Sequence, residues 1–378
     1  MFNVEEMLIK LGKIHDRIER MSGGKEKFLL TMDYISYCSL LYNLVPEGCF
    51  PYNYDEFMDE GSYKKYKKYF KKEVEDICNS LGVVRELFIE TDKINQKHGL
   101  VKEIKLDDEI NSQLGAELLH EFFMGMPDGI SKVYQEVCEN NLLFTNEGES
   151  SAYNTYFSGC ATVKCQGEFK KYYTYMALAH ELGHCYHFRL NMNSNNFIFL
   201  GADCEVSSIF MEMLFNQFVD NELYGKEYGI RCLLRRQTEF ADWLKFQRMV
   251  VENCEWVKAN EVNSFIGILN YKDMSDRDRE MLIDNKIELS DDEKELGHFV
   301  VYNNIAQYRY MISNLIASYL VNVYLNDKKE GLRMLKDYLM LPPNVSLEER
   351  IKMFEIPGDS YKKLIKKVSN YGKNKGIL

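Results

Sequence analysis

The stretch YMALAHELGHCYHF, residues 175–188, decides how this chain is read. It holds His180, Glu181, His184 and His187, and three of the chain's seven histidines fall within eight residues there. Its flanks are apolar and free of proline, as suits a helix running through a core. On a helix, residues four apart stand on nearly the same face, one turn up. His180 and His184 can then point at one zinc ion, and Glu181 stands beside them, where it can take a proton from a metal-activated water. The same residues also suit a core helix with hydrogen-bonded histidines, so the rest of the chain has to separate the two readings.

A catalytic zinc site usually takes three protein ligands and leaves one position for water. Glu205, 21 residues after His184, is the candidate for the third. The intervening NMNSNN (191–196) is a turn signal, so the chain can double back and bring Glu205 to the metal. Glu212 lies two turns further along the same face. Orienting a ligating histidine and forming an ordinary salt bridge are both open to it. Asp203 reads as a cap of the helix that carries Glu205, and Ser208 as a cap or packing residue. His187 shares the face of His180 but lies about two turns away along the axis. That is too far to join both motif histidines on one tetrahedral ion, so it reads as a supporting residue.

The bulk numbers bound the alternatives. With 378 residues, 46% hydrophobic and 28% charged, the chain can bury a large core. Six prolines leave long stretches without a breaker, which favours helices. A formal net charge of -11 makes general nucleic-acid binding a poor expectation, because that affinity comes mainly from neutralised phosphates. There is no apolar run of about 18 residues, so no membrane span is expected. The start, MFNVEEMLIKLGK, lacks the pattern of a signal peptide. Ten scattered cysteines show no disulfide cadence and suggest reduced thiols in a cytoplasmic protein. Cys160 and Cys165 are too far apart for a CxxC pair, which speaks against a structural zinc knuckle.

Along the chain, residues 1–84 read as a reduced N-terminal region of amphipathic helices and 85–378 as the catalytic domain. VEEMLIKLGKIHDRIERM (4–21) carries Met7, Leu8, Leu11, Ile14 and Ile18 at helical spacing. SYKKYKKYFKKEVEDI (62–77) reads as a solvated lysine face, with contact to an acidic partner as the other reading. SQLGAELLHEFFMGM (112–126) is helical. Residues 141–168 change character, with β-prone runs among Gly, Ser, Asn and Thr, and predict two or three short strands. Helices are predicted over 176–190, 203–220, 226–255, 297–327 and 329–340. The basic tail KKLIKKVSNYGKNKGIL (362–378) is expected to fray.

AHELGHCYH (179–187) followed by CEVSSIFME (204–212) resembles the thimet oligopeptidase and oligoendopeptidase F family of zinc peptidases. In that family the zinc helix reads HE-[FL]-GH-x-x-H and the third ligand opens the motif E-x-x-S-x-x-x-E. Glu205, Ser208 and Glu212 fit the second motif position for position. The resemblance implies that His180, His184 and Glu205 bind zinc and that Glu181 is the general base. Downstream, LGHFVVYNNIAQYRYMISNLIASYL (296–320) is similar to the family segment whose His and Tyr donate to the oxyanion. His298 matches the histidine, Tyr308 and Tyr310 the Y-x-Y pair, and Tyr302 lies one turn from His298. A neutral tyrosine O–H suits that task as a donor. Ser313 replaces the family's glycine, Asn303 and Gln307 stand where a further Tyr is common, and CQGEF (165–169) replaces an Asn-containing segment. The resemblance spans residues 85 to about 365. The family's large N-terminal lobe has only about 84 residues here to correspond to it.

The sequence thus predicts a mainly α, helical zinc-peptidase fold with a small β-sheet lining the active-site cleft. The expected activity is zinc-dependent endopeptidase hydrolysis of short peptides, with Glu181, His298, Tyr302, Tyr308 and Tyr310 as catalytic candidates. The alternatives are a processing peptidase for one peptide, an exopeptidase holding a terminus with Lys164, Lys170 or Lys171, and a non-catalytic peptide-binding homologue. Intact Glu181 argues against the last.

Overall fold

The computed structural model describes residues 4–22, 81–100, 108–139, 143–146, 151–157, 160–191, 204–223, 227–252, 268–270, 298–300, 302–342, 345–357 and 360–378, with single positions between 27 and 52. In chain order its elements are α1 (Val4–Glu19), α2 (Leu81–His98), α3 (Ser112–Met124), α4 (Asp128–Glu139), β1 (Leu143–Asn146), β2 (Ser151–Phe157), β3 (Cys160–Gln166), α5 (Tyr172–Asn191), α6 (Val206–Glu222), α7 (Tyr228–Glu252), β4 (Ile268–Asn270), β5 (His298–Val300), α8 (Tyr302–Asn326), α9 (Lys328–Leu339), α10 (Leu347–Met353) and α11 (Ser360–Asn374). The described residues are mostly helical, as the scarcity of proline predicts. No helix among them is long and apolar enough to cross a membrane. The lysine-rich segment 62–77 lies outside the described residues.

The chain divides into two compact units, residues 1–66 with 110–194 and residues 67–109 with 195–378. In the first, α5 packs against α3, α4, β2 and β3. The strand order is β1-β3-β2, with β1 parallel and β2 antiparallel to β3. Helix α3 starts where the Asn111 side chain accepts hydrogen bonds from the backbone N–H groups of Gln113 and Leu114, at 3.0 and 3.2 Å. The Phe123 ring stacks on Tyr134 at 5.1 Å and meets Phe122 edge-on at 4.9 Å, which joins α3 to α4. Gly115 lets Tyr175 of α5 lie against the α3 backbone: a Cβ there would sit 2.3 Å from the Tyr175 ring. The Tyr175 hydroxyl is 2.8 Å from the Ser112 carbonyl and 2.9 Å from that of Phe169, so this ring ties three segments together.

In the second unit α6, α7 and α8 pack on one another, with α2 and α11 against α7 and α9 against α8. The turn from α6 to α7 is fixed by Asp220, whose carboxylate accepts from the N–H groups of Gly229 at 2.6 Å and Ile230 at 2.9 Å. It thereby satisfies donors that the first turn of α7 leaves unpaired. Gly229 is required there, because a Cβ would lie 1.9 Å from the Asn216 carbonyl oxygen. Gly229→Ala is expected to destabilise the protein by about 1–3 kcal/mol, seen as a lower urea midpoint at unchanged slope. Deeper in, Asn314 of α8 and Gln237 of α7 exchange amide hydrogen bonds at 3.0 and 3.4 Å in a fully buried pair.

Two expectations are corrected here. The helix predicted from 297 begins at Tyr302. His298 instead sits in β5, which pairs antiparallel with β4, Asn270 opposite His298. The run HFVV is β-prone, and pairing with ILN satisfies its backbone groups better than an isolated first helical turn would. The tail does not fray: α11 runs to Asn374, the Ile377 N–H donates to the Gly372 carbonyl at 2.8 Å, and Lys375 pairs with Glu227 at 2.8 Å. Tyr361, Ile365 and Val368 on the inner face of α11 are buried, which holds the helix down despite its lysines.

Candidate metal centre

Helix α5 is buried on almost every side: fourteen of its twenty residues are buried. Arg189 is the one exposed residue on it, and it pairs with Glu136 of α4 at 3.0 Å. The half-buried positions Tyr173, Ala177, His184 and Phe188 recur at helical spacing and form a narrow seam that reaches solvent, with Arg189 and Leu190 exposed or half-buried near the C-terminal end. His184 lies on that seam, and His180 lies one turn before it on nearly the same face, buried to 5% exposure. Their ring centroids are 5.1 Å apart in an edge-to-face arrangement, and Phe188 stacks on His184 at 6.5 Å. Glu181, 6% exposed, sits beside them.

His180 and His184 each offer a ring nitrogen from α5 of the first unit, and Glu205 offers a carboxylate oxygen at the start of α6 in the second. Two imidazole nitrogens and a carboxylate oxygen make a donor set that zinc favours. A second triplet, His15, Asp16 and Glu19 on α1, is mostly exposed, and its members lie on one helix surface rather than in a cleft.

Glu205 occupies the N-cap position of α6 with no side-chain cap hydrogen bond, so its carboxylate is not spent on the helix start. Instead the Ser208 hydroxyl lies 3.0 Å from Glu205 Oε2 and 2.8 Å from the Glu205 carbonyl oxygen. The Cys204 thiol is 3.7 Å from Oε1. Ser208 is fully buried and therefore reaches the carboxylate from a fixed position. The sequence favoured capping or packing for this serine, beside its place in the E-x-x-S-x-x-x-E motif. The E-x-x-S spacing was the available signal, since residues i and i+3 are neighbours on a helix. Asp203, expected as the cap, lies outside the described residues, and the helix begins at Val206.

Glu212, two turns below, is engaged elsewhere. Its carboxylate accepts from Arg236 Nε at 3.2 Å and Nη2 at 3.4 Å, with the Glu212 side chain only 1% exposed. Arg236 also reaches Glu239 at 3.2 Å and lies 5.7 Å above the Phe240 ring, which stacks on Tyr310 at 6.5 Å. Of the two roles open to Glu212, the buried ion pair is the one seen. His187 is buried and its carbonyl accepts from the Asn191 amide at 3.1 Å. Cys185, next to the motif, is wholly buried, and burial first, then the nearby Glu181 charge, pushes its thiol well above the ordinary range.

The downstream candidates fall on two elements: His298 on β5, and Tyr302, Tyr308 and Tyr310 on α8. Tyr310 packs on Phe240, whereas the side chains of His298, Tyr302 and Tyr308 lie outside the described residues. Lys170 is an exposed surface residue 3.9 Å from Glu168, and the Lys164 side chain lies outside the described residues.

No protein-family model matches the chain, and no curated protein matches its sequence. Among solved structures it is similar to a Bacillus anthracis protein described as an oligoendopeptidase F (11% identity, TM-score 0.49). It is also similar to a PZ peptidase A crystallised with an inhibitor (12% identity, TM-score 0.49). A Chlamydophila abortus protein described as a peptidase is a further likeness (15% identity, TM-score 0.49). Each match takes in 93% of this chain but only 63%, 66% and 63% of those chains respectively. The chain thus spans less than two thirds of their length, and a superposition of this quality carries no argument about its activity.

Proposed function

We propose that this chain is a zinc-dependent endopeptidase that hydrolyses short peptides in the cytoplasm. The observation that carries the reading is the pair His180 and His184, one turn apart on α5 with ring centroids 5.1 Å apart, with Glu181 buried beside them; Glu205 is the proposed third ligand. A zinc ion held by these three would polarise a scissile carbonyl and lower the pKa of a water at the remaining position. Glu181 would take the proton of the attacking water at its carboxylate and return it to the nitrogen of the leaving amine. Its burial strengthens that role, because a carboxylate screened from bulk water interacts more strongly with the proton it moves. His298, Tyr302, Tyr308 and Tyr310 are the proposed donors to the developing oxyanion, as neutral or protonated N–H and O–H groups. In the sheet order β1-β3-β2, strand β2 is an edge that packs next to α5, so an extended peptide could add to it through main-chain hydrogen bonds beside the histidines. The described cysteines Cys38, Cys138, Cys185, Cys204 and Cys232 are free, in keeping with a reducing compartment.

The test combines metal analysis with digestion of a peptide library. The purified chain is expected to hold one zinc and to cut peptides internally. Failure to take up zinc even when it is supplied removes the metal from the reading, and products released only from one end replace the endopeptidase with an exopeptidase. Ser208 supplies a finer expectation. Ser208→Ala frees the Glu205 carboxylate to rotate, and zinc affinity should fall by about 10–100-fold in a chelator competition at unchanged melting of the metal-free protein. Equal affinity in the two proteins would show that the hydroxyl does not set the carboxylate.

A further inference from the structure

We propose that a hollow on the second unit, away from the histidine helix in sequence and formed by α6, α7, α8 and α11, is a binding site for a small apolar carboxylate. Its lining is mainly apolar: Met213, Leu233 and Val321 are buried and Leu364 of α11 joins them, with the uncharged Gln217, Ser318 and Asn322 among them. Leu325 stands at its mouth and is 48% exposed, a large apolar side chain left in water beside an apolar cavity. The cavity measures about 160 Å³. That is close to the roughly 150 Å³ of a cavity that takes up a benzene-sized molecule.

The charge on the rim selects the ligand. Lys363 and Lys367, one turn apart on α11, are the charged groups that line the hollow, and no acidic side chain does. Both are exposed, and among the described residues neither makes an ion pair or hydrogen bond. The described carboxylate that senses them is Asp220, which interacts with Lys367 electrostatically while its oxygens are engaged by the Gly229 and Ile230 N–H groups. Two ammonium groups over an apolar floor match a ligand with an anionic head and an apolar body of about six carbons, the tail in the cavity and the carboxylate between the lysines. A free short-chain acid and the C-terminus of a peptide ending in a branched apolar residue share this chemistry.

Hexanoate, N-acetyl-leucine and the neutral 1-hexanol serve as probes on the full chain, with calorimetry for affinity and the Met213 methyl resonance for location. Hexanoate is expected to bind with a dissociation constant on the order of 1 mM and to shift the Met213 signal. Lys363→Gln/Lys367→Gln, at two exposed positions, should weaken it at least about fivefold, and 1-hexanol should bind correspondingly less well than hexanoate. N-acetyl-leucine binding more tightly than hexanoate assigns the site to peptide termini, and the reverse order assigns it to free acids; either upholds the proposal. Absence of saturable binding by both acids, equal affinity for the double variant, or hexanol binding as tightly as hexanoate overturns it.

Discussion

Replacing Glu181 by Gln is expected to lower kcat for the proposed peptide cleavage by about 10²–10⁴-fold, while zinc content and KM stay close to those of the parent protein. The amide keeps the volume and much of the packing of the carboxylate, which matters at a position only 6% exposed. What it loses is the capacity to accept a proton from the attacking water and to hand it on. His180, His184 and Glu205 remain in place, so the metal should be retained, and the loss falls on the chemical step alone. Steady-state kinetics alongside metal analysis of the same samples separate these quantities. A Glu181→Gln protein as fast as its parent would deny the residue its role, whatever its metal content.

The second large effect concerns stability. Glu212→Ala leaves the Arg236 guanidinium with Glu239 as its remaining described carboxylate partner, in a site where the side chains of Arg236 and Glu239 are 12% and 11% exposed. The guanidinium loses two hydrogen bonds to a buried carboxylate while Glu239 still pairs with it, and the expected cost is about 1.5–3 kcal/mol. Urea unfolding followed by circular dichroism measures it. The double variant Glu212→Met/Arg236→Met should recover most of that loss, because apolar side chains of similar volume carry no desolvation penalty. A single substitution costing less than about 1 kcal/mol would be an exposed-pair value and would contradict the burial of this one.

The candidate residues were legible because they obey short-range rules. His180 and His184 follow helical spacing, Glu205 follows a turn signal, and the apolar periodicity located α5 to α9 within a few residues. The parts that were not legible depend on distant partners. Arg236 meets Glu212 from 24 residues away, on another helix, and nothing in IFMEMLF announces that contact. The strand at His298 rests on pairing with β4, nearly thirty residues earlier, so local propensity could extend the helix through it unopposed. The C-terminal helix was misjudged for a related reason. Its lysines are conspicuous in sequence, whereas the burial of Tyr361, Ile365 and Val368 shows only against α2, α7 and α8. Ser208 lay between these cases: its spacing from Glu205 was visible, but its choice of the carboxylate over simple capping was settled by side-chain geometry.

The narrow wet seam on α5 sets how this protein can change over generations of mutation. A surface helix offers a broad polar face on which substitutions drift freely, but here most replacements open a cavity or strand a polar group in the core. The more forgiving positions are Tyr173, Ala177, Phe188, Arg189 and Leu190, of which Phe188 stacks on His184. Whatever variation the helix accepts is therefore channelled to these few positions, while His180, Glu181 and their buried neighbours are locked to the packing of the first unit.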